Sequence, residues 1–205
     1  LGFALSREDA NGLRFADELE RIGYAGTEPC GDHHLGAFLE VHIEQGPILE
    51  RGNDAIGVVT GGQGQRWFDV SVTGWDAHSG STPMQGRRVA LVAAARLIGS
   101  VQKIALSHGP AGVGTVGELH ISPNSRNTIP GKVQFSVDFR HPDDQILSAM
   151  DDAIRDAVAQ ETDVEIDLQM IWHNPPVAFD VACVTAIENA TIALGHPYQR
   201  MISGA

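Results

Sequence analysis

The chain has 205 residues, 42% of them hydrophobic and 20% charged, a globular composition that excludes intrinsic disorder. The 26 Asp and Glu outnumber the 14 Lys and Arg for a formal net charge of -12, which disfavours nucleic acid and anionic membrane surfaces as partners. Two cysteines, Cys30 and Cys183, lie far apart with no C-x-x-C pair, which fits ordinary thiols in a reducing compartment rather than a disulfide framework. Residues 1–5 are apolar but too short for a signal peptide, and no apolar run of about 18 residues is expected to cross a membrane. A cytoplasmic location is therefore expected. Residues 14–22 space Phe15, Leu19 and Ile22 as one face of a short helix that Gly23 stops. After a Gly/Pro/His linker over 26–36, the run 37–43 predicts a buried strand ending in Glu44-Gln45-Gly46-Pro47.

Residues 56–60 predict another strand, and Gly61-Gly62-Gln63-Gly64 breaks it like a hinge, which places a domain boundary there. Strands are predicted over 66–73, 113–121, 132–139 and 164–171, and helices over 87–106 and 145–159. Their order is β-α-β-β-α-β, the ferredoxin-like split motif, with both helices on one face of an antiparallel sheet. The exposed edge of such a sheet invites a second copy of the chain. A last helix over 181–194 and the tail would return to the first domain. The fold class is thus α/β, with a small lid over 62–174 inserted between pieces 1–61 and 175–205 of a larger, incomplete domain.

Several polar residues interrupt this pattern where chemistry could sit. His42 ends an apolar strand with Glu40 and Glu44 on the same face, and reads either as a satisfied histidine or as a metal ligand. His78, in Asp76-Ala77-His78-Ser79-Gly80, stands in a loop where an imidazole N–H could meet a developing oxyanion, or could cap the loop. Asp76 either orients that ring or caps the same loop. Asn127, in a Pro/Gly-rich turn between strands, could bond a substrate carbonyl or carboxylate, though Asn and Ser also serve turns for their own sake. Arg140 could grip a carboxylate bidentately, or pair with Asp143 or Asp144. The pairs Asp143-Asp144 and Asp151-Asp152 are expected at helix N-terminal turns, where the dipole accounts for them.

Leu39-Glu40-Val41-His42-Ile43-Glu44-Gln45-Gly46-Pro47, Gly64-Gln65-Arg66-Trp67, Asp76-Ala77-His78-Ser79-Gly80-Ser81-Thr82-Pro83-Met84, Asn124-Ser125-Arg126-Asn127-Thr128-Ile129-Pro130-Gly131 and Asp138-Phe139-Arg140-His141-Pro142-Asp143 follow one another in order. Together they resemble the hydantoinase/carbamoylase branch of the M20 metallopeptidase-like amidohydrolases, which holds N-carbamoyl-L-amino acid hydrolases, allantoate amidohydrolases and β-ureidopropionases. The resemblance implies that His42 is one ligand of a two-metal centre of zinc or manganese, and that Gln45 lies beside the substrate. It implies that His78 reaches across a homodimer, formed through the lid, to steady the oxyanion in the partner's site. Asn127 and Arg140 would bind the carboxylate of a small ureido or carbamoyl substrate. Two metals would polarise a poorly electrophilic carbonyl.

Of the family's metal ligands only His42 falls within the chain, which opens without Met and ends at Ser203-Gly204-Ala205. The chain is therefore expected to be a piece of a longer enzyme, inactive alone and binding no metal tightly. The expected reaction of the parent is hydrolysis of carbamoyl or ureido C–N bonds. Two alternatives stand beside it: an M20-type aminoacylase or peptidase, and a non-catalytic dimerisation module.

Overall fold

The computed structural model describes residues 2–28 and 34–204, so Cys30 and His33 lie outside the described residues. Two compact units divide at Ile43 and Glu44. In the first, α1 (Gly2–Leu5) is followed by α2 (Phe15–Arg21). Asp9 accepts the N–H groups of Asn11 and Leu13 and so closes the intervening turn. The strand expected over 37–43 is absent: these residues carry no helix or strand, and Val41 is fully exposed. Alternating apolar residues make a strand only where a neighbour pairs their backbone groups. No described segment does so here.

The second unit begins with α3 (Ile48–Gly52) and β1 (Ile56–Gly62). The chain changes sheet at Gln63 and runs through β2 (Gly64–Thr73), β3 (Ala77–His78), α4 (Ala90–Ser107), β4 (Val113–Thr115), β5 (Leu119–Ser122), β6 (Thr128–Ile129), β7 (Lys132–His141), α5 (Asp144–Ala159) and β8 (Glu165–Asn174). It changes back for β9 (Val177–Ala178), α6 (Val181–Ala193) and β10 (Tyr198–Ser203). In the larger sheet β4 and β5 pair successive parts of β7, which pairs β2, which pairs β8, all antiparallel. The smaller sheet holds β1 between a parallel β10 and an antiparallel β9.

Alternation decides which face of the large sheet is buried. Phe68, Val70 and Val72 on β2 and Val133, Phe135, Val137 and Phe139 on β7 point into the core, while Trp67, Asp69 and Thr73 point away. Onto the apolar face α4 lays Ala93, Ala94, Leu97 and Val101, and α5 lays Leu147, Met150 and Ile154. The rings of Phe68 and Phe139 meet edge to face at 6.3 Å. Each large side chain so buried contributes about 2–3 kcal/mol. By length and composition α4 is apolar enough to cross a membrane, contrary to the sequence expectation. Its apolar stripe is spent on this core, and it carries Arg96 and Lys103 on its remaining surface.

Three other expectations change. Helix α4 starts at Ala90 rather than 87, because the Arg87 guanidinium is bound to the carbonyls of Ser79, Thr82 and Pro83 and holds its backbone in the loop. The strand expected over 113–121 is split: Thr115 pairs Asp138 while Leu119 pairs Phe135, so the outer strand carries one extra residue and bulges. Asp143 is the N-cap of α5, accepting from Gln145 and Ile146 N–H. Asp151 and Asp152, expected at a helix start, instead lie in mid-helix. Asp151 is buried there by ion pairs to Arg66 at 2.7 Å and Arg155 at 2.8 Å.

Candidate functional site

The short ladder between β3 and β6 builds the most organised polar cluster among the sequence-predicted residues. Ala77 pairs Ile129 and His78 pairs Thr128. Ser79 N–H donates to Asn127 O at 2.9 Å, so the two expected site loops are pinned to one another. Gly80 and Ser81 donate their N–H groups to His78 Nδ1 at 3.1 and 3.2 Å. An imidazole nitrogen that accepts cannot carry a proton, so the hydrogen sits on Nε2 and that edge is a donor. Across the ladder, the Asn127 carboxamide oxygen accepts from the hydroxyls of Ser125 at 2.9 Å and Thr128 at 3.4 Å. Its Nδ2 is left as the donor end.

Asp76 does not orient His78. Its Oδ1 accepts Gly131 N–H at 2.6 Å, and Gly74 N–H donates to Gly131 O at 2.8 Å. The carboxylate thus fastens the end of β2 to the turn that carries Asn127, the loop-capping alternative of the two.

Arg140 lies on β7 opposite Gln65. Its partner is Asp138 rather than Asp143 or Asp144: Nε and Nη2 donate to the Asp138 carboxylate, with Nη2 to Oδ2 at 2.7 Å. Two residues apart on a strand means the same face, a spacing that was readable in the sequence. Nη1 also donates to the carbonyl of Gly204. The guanidinium is therefore held as a fixed fork, with its Nε and Nη2 edge already engaged.

In the first unit, His42 Nδ1 lies 3.0 Å from Glu40 Oε1 on an exposed stretch. A carboxylate on one ring nitrogen leaves the other free, the disposition of many metal-binding histidines. In the second unit, Glu44 turns to α3 and accepts the N–H groups of Ile48 and Leu49 at 2.7 and 3.0 Å, so it is committed to that helix. Gln45, exposed, takes a left-handed backbone with φ of 53° in the turn between them. Among the described residues no group of three or more His, Cys, Asp or Glu side chains is placed to hold a metal ion. His42 fits as one ligand. The described residues do not make a metal centre by themselves.

Elsewhere, Cys183 sits at the start of α6, whose N-cap Asp180 accepts its N–H. Partial burial, then Asp180, pushes its thiol above the usual range, which leaves it a poor nucleophile. Reading the sequence alone missed the supports of the site: the Gly80 and Ser81 amides, the Ser125 and Thr128 hydroxyls and Asp138. Hydroxyls two residues before and one after an Asn were the available signal for the second of these.

Against known proteins, the profile described as "Peptidase dimerisation domain" matches residues 60–165. The chain is 43% identical over its whole length to an N-carbamoyl-L-amino-acid amidohydrolase of Rhizobium meliloti, of which it covers 50%. It is 33% identical to the allantoate amidohydrolase of Escherichia coli (strain K12) over 96% of the chain and 49% of that protein. The crystal structure of an amidase of the hydantoinase/carbamoylase family from Burkholderia multivorans superposes with a TM-score of 0.91 at 51% identity, covering all of this chain and 50% of that one. The chain thus spans about half the length of the relatives it matches.

Proposed function

The chain belongs to the M20 family, in its hydantoinase/carbamoylase branch, and on that premise we propose that it is part of a metal-dependent hydrolase that cleaves carbamoyl or ureido C–N bonds. The observation that carries this reading is the β3–β6 ladder, which pins the loop of His78 to the turn that carries Asn127. Attack on a carbamoyl carbon turns a trigonal carbonyl into a tetrahedral centre whose oxygen gains charge. His78 Nε2–H supplies a donor for that oxygen, across a dimer of two chains. Asn127 and Arg140 receive the substrate carboxylate, and Gln45 lies beside the substrate.

On the same reading, residues 62–174 are a ferredoxin-like lid that pairs with a second copy, and residues 1–61 and 175–205 belong to an α/β catalytic domain. The parent would hold two divalent ions, zinc or manganese, with His42 as one ligand. Those ions supply polarisation of the attacked carbonyl when bound. The chain alone is expected to bind none tightly and to turn over nothing.

The test compares the full-length parent with the 205-residue chain, each supplied with Zn²⁺ or Mn²⁺ and offered N-carbamoyl and N-acyl amino acids. The parent is expected to hydrolyse the N-carbamoyl compounds and the chain neither. His42→Ala in the parent is expected to lower both bound metal and turnover. Turnover by the isolated chain would overturn the reading. A preference for N-acyl substrates would instead favour an aminoacylase or peptidase, the alternative that the peptidase description of residues 60–165 supports.

A further inference from the structure

We propose that Arg87 is a positioning residue for His78, aiming the backbone amide that holds the imidazole in its Nε2–H form. The inference rests on the reading of His78 Nε2–H as the oxyanion donor. The Gly80 and Ser81 N–H groups, 3.1 and 3.2 Å from His78 Nδ1, can only donate, so the ring nitrogen they meet is an acceptor. Whatever keeps these amides aimed is part of how the donor is made. The loop over 79–83 belongs to no helix or strand. Its four successive amides are nevertheless all engaged: Ser79 N–H with Asn127 O at 2.9 Å, Gly80 and Ser81 with the ring, and Thr82 N–H with His78 O at 3.2 Å.

Three carbonyls of the same loop go to one guanidinium. Arg87 Nη2 donates to Ser79 O at 2.9 Å and to Thr82 O at 2.6 Å, and Nε donates to Pro83 O at 3.2 Å. One peptide unit joins the two sets of bonds. Ser79 C=O and Gly80 N–H belong to the same planar trans amide, in which they point in opposite directions. Fixing the oxygen on Arg87 therefore fixes the N–H on His78. That plane already lies against the ring, since a Cβ on Gly80 would sit 3.3 Å from His78 Cε1. Arg87 is half-buried, and its rigid fork keeps the spacing of the carbonyls it holds. Without it the loop is free to turn, and a ring that loses its two amides can carry its proton on Nδ1, the form whose Nε2 cannot donate.

The experiment is a double-mutant cycle in the full-length enzyme with an N-carbamoyl amino acid as substrate. Arg87→Ala is expected to lower kcat about 10–100-fold, within the loss that removal of an oxyanion donor brings, and to leave KM within about twofold of the parent. In the His78→Ala background the same change should alter kcat by less than about twofold, because nothing is left to position. Arg87→Lys, which keeps the charge without the fork, is expected to fall between Arg87→Ala and the parent. A loss of equal size in both backgrounds means a general scaffold role and overturns the proposal. So does an unchanged kcat in Arg87→Ala while His78→Ala lowers it, and the His78 reading then stands. If His78→Ala itself leaves kcat unchanged, the oxyanion reading falls and takes the proposal with it. Where Arg87→Ala does not fold, the same cycle run with Arg87→Lys decides between these outcomes.

Discussion

Gly131 closes the turn that carries Asn127 onto the end of β2, and an alanine there tests whether the junction tolerates any side chain. A Cβ at this position would lie 2.6 Å from Asp76 Oδ1 and 2.7 Å from Asp76 N. The carboxylate could swing away, but only by giving up its bond to Gly131 N–H. The backbone nitrogen cannot swing, so the segment between β2 and β3 would have to shift. Overpacking of this kind costs about 1–3 kcal/mol, and loss of a hydrogen bond to a charged group costs about 1.5–3 kcal/mol. The two overlap, because one displacement relieves part of both, so Gly131→Ala is expected to lose about 2–4 kcal/mol. With a urea slope of about 2 kcal/mol/M, the unfolding midpoint should fall by about 1–2 M. Asp76→Ala removes the bond but keeps the close backbone approach. The double variant should therefore stay well below Asp76→Ala alone in stability. A Gly131→Ala midpoint indistinguishable from the parent would refute the steric argument, and full rescue by Asp76→Ala would show that only the carboxylate stands in the way.

In the full-length parent, His78→Ala is expected to lower kcat about 10²–10³-fold with a smaller change in KM, as removal of an oxyanion donor does; steady-state kinetics decide it, and an unchanged kcat rejects the role. The Arg96 guanidinium, forked onto Glu161, holds that carboxyl below the usual glutamate range. A lowered folded pKa means that the stabilisation is complete above the unfolded carboxyl pKa and disappears as pH falls through the folded one. Arg96 is half exposed, so solvent screening limits the pair to about 0.5–1 kcal/mol. Glu161→Gln should cost that amount near neutral pH and nothing in strong acid, which urea midpoints at the two pH values would show.

The large sheet was legible because both its faces are written locally. The alternation at Phe68, Val70 and Val72 and at Val133, Phe135, Val137 and Phe139 needs only a period of two, and the helices that cover it carry their own apolar stripe. The N-cap Asp143 was equally readable. What failed was decided by partners distant in sequence. Asp151 looks like any acidic helix residue until Arg66, 85 positions away, is folded against it. The bulge between β4 and β5 exists only in the register with β7. Residues 37–43 have strand composition, yet composition cannot supply the neighbour that a strand requires.

The same distinction separates the candidate residues of the two units. His78, Asn127 and Arg140 are each held by groups inside the second unit: backbone amides at Gly80 and Ser81, hydroxyls at Ser125 and Thr128, the carboxylate of Asp138. These supports are short-range hydrogen bonds, so on the proposed reading the His78 and Asn127 donors are organised before any ligand arrives. Among the described residues, His42 is held by Glu40 on an exposed stretch without strand neighbours. On the proposed reading, such an imidazole would gain its geometry from the other ligands of its ion. On the proposed reading, damage to Ser125 or Gly80 therefore acts through substrate affinity and the oxyanion, whereas damage near His42 acts through metal content. A variant that crossed these readouts, losing metal through Ser125 for instance, would show that the two sets of residues do not act independently.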